Sequence, residues 1–377
     1  MTDFSKLVPA HVRKLGSYKP GKNVRQAELE CGVRCIKMAS NENPFGPSPL
    51  AIAAVNAATA DIHFYPDASA TELTARLAEI HEIEPNQLLV TAGSTTFLEI
   101  LARTLLGPGL NAVTSKLSFI VYPIVTQATG AYLIEVPTLN DGFDLEGILA
   151  AIDGNTRVVY IANPNNPTGT IVDATAMDRF LDRVPPHVIT VLDEAYYDFA
   201  GYFAAQRSFD YSHAMEYVRA GRPVIVLRTF SKAHGLAGVR VGYGVGPAEL
   251  MSYLARMKPA FMVSTLGETA ALAALADADH VQRAMENNAA GAQLLLPAIS
   301  ELGIRVVPTW ANFLFCDTGE PVGPLCQALQ QEGIIVRPMS APWQAPNAFR
   351  VTIGTPEHNA QFLAALRRVR VRIPELK

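Results

Sequence analysis

Three polar residues of this chain each follow a run of apolar ones. Lys232 comes just after Val224-Ile225-Val226-Leu227, within Arg228-Thr229-Phe230-Ser231-Lys232-Ala233-His234-Gly235. Asp193 ends the run Val188-Ile189-Thr190-Val191-Leu192, and Glu194, Ala195, Tyr196 and Tyr197 follow it. Asn166 lies in the turn Asn163-Pro164-Asn165-Asn166-Pro167-Thr168-Gly169, after Val158-Val159-Tyr160-Ile161-Ala162. Such runs read as buried strands, and the Asn, Pro, Gly and Ser that follow read as turns. Taken singly, each polar residue has an ordinary explanation: a surface lysine, a helix N-cap aspartate, a strand-to-helix turn. Together they bring an amine, a carboxylate and an amide to the carboxyl ends of successive strands, where open α/β sheets bind ligands. The gaps between them are long enough for one crossover unit each.

Partial desolvation makes an amine a nucleophile toward a carbonyl. The chemistry that suits this trio is that of pyridoxal phosphate. The lysine forms a Schiff base, and the carboxylate keeps the pyridine nitrogen protonated so that the ring remains an electron sink. An amide and a phenol can bind the ring's phenolate oxygen. Arg240 is available for the cofactor phosphate.

The segments 163–169, Asp193-Glu194-Ala195-Tyr196 and Thr229–Gly242 resemble those of the class I/II aminotransferases among the fold-type I pyridoxal phosphate enzymes. Ser40-Asn41-Glu42-Asn43-Pro44-Phe45-Gly46-Pro47, Tyr65-Pro66-Asp67, Gly333–Arg337 and Phe349–Gly354 are similar to the histidinol-phosphate aminotransferase branch. The resemblance runs in order from about residue 18 to about residue 354. It implies that Lys232 is the Schiff-base lysine, Asp193 the partner of the ring nitrogen, and Asn166 and Tyr196 the ligands of the ring oxygen. Phe119 falls where an aromatic ring stacks on the cofactor. Ser94, Thr95, Thr229 and Arg240 match phosphate-binding positions, and Arg350 the arginine for the substrate's anionic end. Tyr18, Asn43 and Arg337 match further substrate positions. Tyr65 matches a tyrosine that reaches the neighbouring subunit's cofactor, which implies a homodimer with shared sites. The turn Ala92-Gly93-Ser94-Thr95-Thr96 lacks the acidic residues usual in this branch, and Phe261–Thr265 lacks its usual asparagines.

The elements that must position these residues alternate. Strands are expected at Leu88–Thr91, Ala112–Thr114, Tyr132–Val136, Val158–Ala162, Val188–Asp193, Val224–Thr229 and Val239–Val245. Helical patterns such as Thr71–His81 and Thr95–Leu106 lie between. This predicts an α/β fold: a mostly parallel sheet of about seven strands covered on both faces. After about residue 250 the pattern changes to one long helical stretch, Leu266–Leu302. Shorter strands follow at Ile304–Val307, Phe313–Cys316, Ile334–Arg337 and Phe349–Ile353, then a helix around Asn359–Arg368. The expected organisation is an arm (1–45), a large cofactor-binding domain (46–265) and a smaller α+β domain (266–377).

The 377 residues are 49% hydrophobic, enough for two cores. A net charge of −4 leaves no electrostatic footprint for nucleic acid. No apolar stretch reads as a signal peptide or membrane span, so the cytoplasm is the default location. Cys31 and Cys35 stand four apart with no accompanying ligand pair, so no metal is read. Gly16–Asn23 nearly spells a P-loop, but Pro20 interrupts it and Asn23 replaces the hydroxyl residue. Gly242–Pro247 misplaces the third glycine of a dinucleotide fingerprint. His234 reads as a turn residue rather than a base.

The expected activity is transamination between a small amino donor and a 2-oxo acid such as 2-oxoglutarate. Histidinol phosphate is the leading donor, with phenylalanine as the alternative. A phospho-amino-acid decarboxylase on the same cofactor is a second reading. A cofactor-binding regulator is a third, disfavoured by the lack of chain length for a DNA-binding domain.

Overall fold

The computed structural model describes residues 2–16 and 22–372. Among them, a two-residue strand β1 (Ile36–Lys37) precedes the seven strands of the main sheet. These are β2 (Leu88–Thr91), β3 (Asn111–Ser115), β4 (Tyr132–Val136), β5 (Thr156–Ala162), β6 (Ile189–Asp193), β7 (Val224–Thr229) and β8 (Gly242–Val245). Their spatial order is β2-β8-β7-β6-β5-β3-β4. Every pairing is parallel except the two made by β8, which runs antiparallel between β2 and β7. Val158–Ile161, Val191–Leu192 and Val224–Leu227 are buried. Continuous apolar runs are what a parallel strand covered on both faces requires.

Register explains how the polar groups meet. Asp193 pairs with Ala162 on one side and Leu227 on the other. Asn166 and Lys232 lie a few residues beyond those partners. All three therefore leave the same end of the sheet.

The remaining strands are β9 (Arg305–Val307), β10 (Phe313–Asp317), β11 (Ile334–Ile335), β12 (Arg337–Pro338) and β13 (Ala348–Thr352). Four of them form an antiparallel sheet in the order β12-β13-β10-β9. The fifth, β11, pairs with β1, and Ala27, Ala39 and Ile335 pack together there. The N-terminal segment is thus tied to the C-terminal part of the chain.

Three expectations need correction. The strand expected at Val239–Val245 begins only at Gly242, because Arg240 adopts a left-handed backbone (φ 59°) that no strand accommodates. The strand expected at Ile334–Arg337 is two strands in different sheets, separated at Val336. The long helix expected over Leu266–Leu302 is two helices, Thr265–Leu275 and Ala278–Ser300. Asp277 lies between them and accepts a bond from the backbone N–H of His280, capping the second.

Glycine is required in β8 by close approach. A Cβ on Gly244 would stand 2.2 Å from Cε2 of Phe97, a ring that is itself fully buried and cannot retreat. Gly244→Ala should therefore destabilise the protein by ~1–3 kcal/mol, the usual range for overpacking. A melting temperature equal to that of the parent would contradict the packing described.

Candidate active site

Lys232, Asp193 and Asn166 line one cavity of about 140 Å³, together with Ser94, Thr95, Phe119, Tyr196, Thr229 and Arg240. Nine residues singled out from sequence thus converge, from five separate connections of the main sheet.

Lys232 sits in the loop from β7 to β8, and its Nζ donates to the Ser40 carbonyl at 3.1 Å. Burial lowers the amine's pKa to about 7, and the Arg350 guanidinium adds to the effect. A large fraction is therefore neutral, and nucleophilic, near pH 7.

Asp193 is buried at the end of β6. Burial raises its pKa to about 6, opposed by a bond from the Tyr122 hydroxyl to Oδ2 at 2.9 Å. Its Oδ1 accepts from the Ala195 backbone N–H at 3.3 Å. A carboxylate so placed gains from a cationic N–H entering the cavity.

Tyr122 was not anticipated. It is buried in the helix Val121–Ala128 and stacks on Tyr160, with ring centroids 4.7 Å apart. In sequence it is one aromatic in an apolar helix, with nothing to mark its hydroxyl.

The Tyr196 hydroxyl accepts from Asn166 Nδ2 at 3.2 Å and from Asn41 Nδ2 at 2.8 Å. Asn166 Oδ1 accepts in turn from Arg350. The turn that presents Asn166 is held by Asn165, which donates to the Leu117 carbonyl and to Thr168 Oγ1. Asn163 exchanges two bonds with the backbone of Val172. Its cis peptide bond to Pro164 completes the turn.

The Ser94–Leu105 helix starts at this cavity, and its N-cap, Gly93, provides no side-chain acceptor. Its first amides therefore point at open space, the arrangement that binds anions. The Arg240 guanidinium closes the same corner. It donates to Ser231 Oγ and the Ala237 carbonyl, and a Cβ on Gly93 would lie 2.4 Å from Nη2. Helix amides, two hydroxyls and a guanidinium fit a phosphate dianion, and the missing acidic residues of this turn would only repel one. Phe119, Ala195 and Asp193 line this same cavity, a lining that suits an aromatic ring with a protonated nitrogen.

Arg350 is buried and also donates to the Ala39 carbonyl. Arg337 stands directly opposite it, in register across β12 and β13, so both side chains leave one face of that sheet. Asn43 does not line the cavity: its Nδ2 donates to the Ala233 carbonyl and its Oδ1 accepts from Phe45, so it braces the loop around Lys232. Asn41, two residues earlier and left-handed at φ 58°, is the asparagine that reaches Tyr196. Tyr65 is 82% exposed, stacked on Phe261 away from this cavity. His234 packs on Phe230, facing another cavity beside Arg228 and Tyr243. Tyr18 lies outside the described residues.

Residues 33–366 match the family Aminotransferase class I and II. The chain belongs to this family. As an aminotransferase it has close sequence relatives. Histidinol-phosphate aminotransferase 2 of Pseudomonas fluorescens (strain Pf0-1) is 44% identical over 373 residues, covering 98% of this chain and 99% of the relative. The protein of that name from Pseudomonas aeruginosa is 43% identical over 372 residues, with 98% and 99% covered. A solved histidinol-phosphate aminotransferase from Sinorhizobium meliloti, in complex with pyridoxal-5'-phosphate, has a TM-score of 0.88 at 27% identity. That match covers 97% of this chain and 98% of the other. Thermus thermophilus aspartate aminotransferase with maleate shares the fold at 22% identity, with a TM-score of 0.78.

The lowered pKa of Lys232 has a measurable consequence. Its amine is mostly protonated below about pH 7 and neutral above. In protein stripped of small molecules, labelling of Lys232 by trinitrobenzenesulfonate, located by mass mapping, should rise through pH 7 and then level off. Solvated lysines should keep gaining reactivity toward their ordinary pKa of ~10.4. A Lys232 inflection coinciding with theirs would contradict the desolvated amine.

Proposed function

We propose that this aminotransferase uses pyridoxal phosphate to move the amino group of histidinol phosphate onto 2-oxoglutarate. The observation that carries the donor is the cross-strand pair Arg337 and Arg350. Two guanidiniums on one sheet face suit a phosphate dianion better than a single carboxylate, because each pairs bidentately with phosphate. The names of the relatives support the same donor.

When bound, the cofactor supplies an electron sink for negative charge on the carbon that carries the amine. The chain's own groups do the rest. Ser94, Thr95, Thr229, Arg240 and the first amides of the Ser94–Leu105 helix would hold the phosphate. Asp193, fixed by Tyr122, would keep the ring nitrogen protonated. Asn166 and Tyr196 would bind the ring oxygen, and Phe119 would cover the ring. Lys232 Nζ stands where it would hold the cofactor's carbonyl carbon. Its neutral amine would also take the proton from the substrate's amine-bearing carbon as base, and its ammonium would give that proton up again as acid.

The phenylalanine alternative drew weight from the unusual run Phe261–Thr265. In the fold Phe261 stacks on Tyr65, and Ser264 caps the Thr265–Leu275 helix through the Gly267 N–H. Neither lines the cavity around Lys232 of the same subunit. The test compares turnover efficiencies of the parent and Arg337→Ala on histidinol phosphate and phenylalanine, with 2-oxoglutarate as acceptor. A selective loss on histidinol phosphate, ~100-fold or more for a lost bidentate contact, is expected. Equal losses, or a parent that prefers phenylalanine, would overturn this donor. Turnover without any 2-oxo acid would point to the decarboxylase.

The working unit is a homodimer with Tyr65 donated across the interface. Ile62, Phe64 and Tyr65 form an exposed apolar stretch, and a second copy is the occupant this reading gives it. Residues 1–45 act as an arm, 46–265 as the cofactor-binding domain and 266–377 as the smaller domain. Among the described residues no helix is long and apolar enough to cross a membrane, and the cytoplasm is the proposed location. Mixing Tyr65→Ala and Lys232→Ala proteins should restore activity to heterodimers, since one interface then holds both wild-type residues. No recovery after subunit exchange, or a fully active monomer, would rule sharing out.

A further inference from the structure

We propose that Trp343 is a positioning residue, which sets where the Arg337 guanidinium stands relative to Phe119 and so selects donors by the separation of amine and anion. The inference rests on the phosphate-binding role of Arg337 given above.

Trp343 lies in the connection between β12 and β13 and is 8% exposed. Its ring packs in a small cluster with Val307, Phe315 and Met339. The indole Nε1 donates to the Ser118 carbonyl at 3.1 Å. Ser118 directly precedes Phe119, and its hydroxyl donates to Asn165 Oδ1 at 2.9 Å, one residue before Asn166. On its other side, the Arg337 guanidinium carbon stands 5.3 Å from the ring centroid. Phe119, Trp343 and Arg337 line one cavity of about 330 Å³.

A single rigid ring therefore bridges the turn that carries Phe119 and the guanidinium that meets the substrate's anion. Arg350 is fixed by hydrogen bonds to Asn166 and the Ala39 carbonyl. Arg337 has a long side chain with much rotamer freedom to lose, and the aromatic face restricts it through its quadrupole. With the indole anchored to Ser118, the ring fixes one side of the Arg337 guanidinium relative to the turn that carries Phe119.

The test is a double-mutant cycle on the holoenzyme, with histidinol phosphate varied against saturating 2-oxoglutarate. Trp343→Leu should raise KM for histidinol phosphate ~10-fold with kcat almost unchanged, as loss of a cation–π contact and its ordering effect predicts. Trp343→Phe keeps an aromatic face but loses the N–H anchor, and should fall between parent and Trp343→Leu. In the Arg337→Ala background either change should add less than ~2-fold, because a residue acting through Arg337 has nothing left to act on. KM for 2-oxoglutarate should not move in step. If Trp343→Leu does not fold, the Trp343→Phe cycle decides the matter alone. Losses that multiply in the double variant, or a fall in kcat at constant KM, would overturn the role. A parent enzyme inert toward histidinol phosphate would instead sink the donor reading, and Trp343 with it.

Discussion

A carboxylate is kept inside an apolar sheet, and the rest of the site is arranged around that fact. Asp193 emerges between Ala162 and Leu227, with buried strands on both sides. Unpaired burial favours its neutral form, which its raised pKa reflects. One hydroxyl, from Tyr122, offsets part of this cost. The remainder is available to a cationic partner, so the penalty at Asp193 is also the selectivity of the site for a protonated ring. The desolvation that burdens the carboxylate also frees the Lys232 amine of its proton. One dry pocket thus tunes an acid upward and a base downward, each toward neutrality.

A chain of polar side chains joins parts of the molecule that the sheets keep separate. Asn41 belongs to the N-terminal segment, Tyr196 and Asn166 to connections of the main sheet, and Arg350 to the four-stranded sheet. Their bonds run Asn41 to Tyr196, Asn166 to Tyr196 and Arg350 to Asn166. Arg350 also donates to Ala39, and Asn41 is held by Thr352. Arg350 and Tyr196 are therefore members of one network. An anion that drew Arg350 toward itself would compete with Asn166 for the same donor, which couples Arg350 to the Asn166–Tyr196 pair.

The sequence showed most of this architecture, for a definable reason. Parallel strands buried on both faces leave continuous apolar runs, and the polar residues that end them are conspicuous. Lys232, Asp193 and Asn166 were legible on that basis, whereas Ser94, Thr95, Thr229 and Arg240 were singled out by the family resemblance. What stayed hidden depends on partners distant in the chain. Tyr122 looks like any core aromatic, because its role needs Asp193 beside it. Asn41 and Asn43 are equivalent in sequence, and only the left-handed backbone at Asn41 decides which one reaches Tyr196. The break at Val336 divides a short apolar run between two sheets, which no periodicity reveals. Asp277 ends a long Ala/Leu-rich pattern by capping, a local effect masked by strong helix formers on both sides.

The antiparallel strand β8 does more than close a gap between β2 and β7. A parallel successor to β7 would need a crossover helix and would return to the opposite end of the sheet. By turning back at once, the chain brings Arg240 to the edge where Lys232 already lies. Lys232 and Arg240 therefore share one short loop, and their separation is a local property of that loop. Both residues lie between β7 and β8, so their contact order is low. Changes in the other strands leave that local geometry to the Phe230–Val241 segment itself.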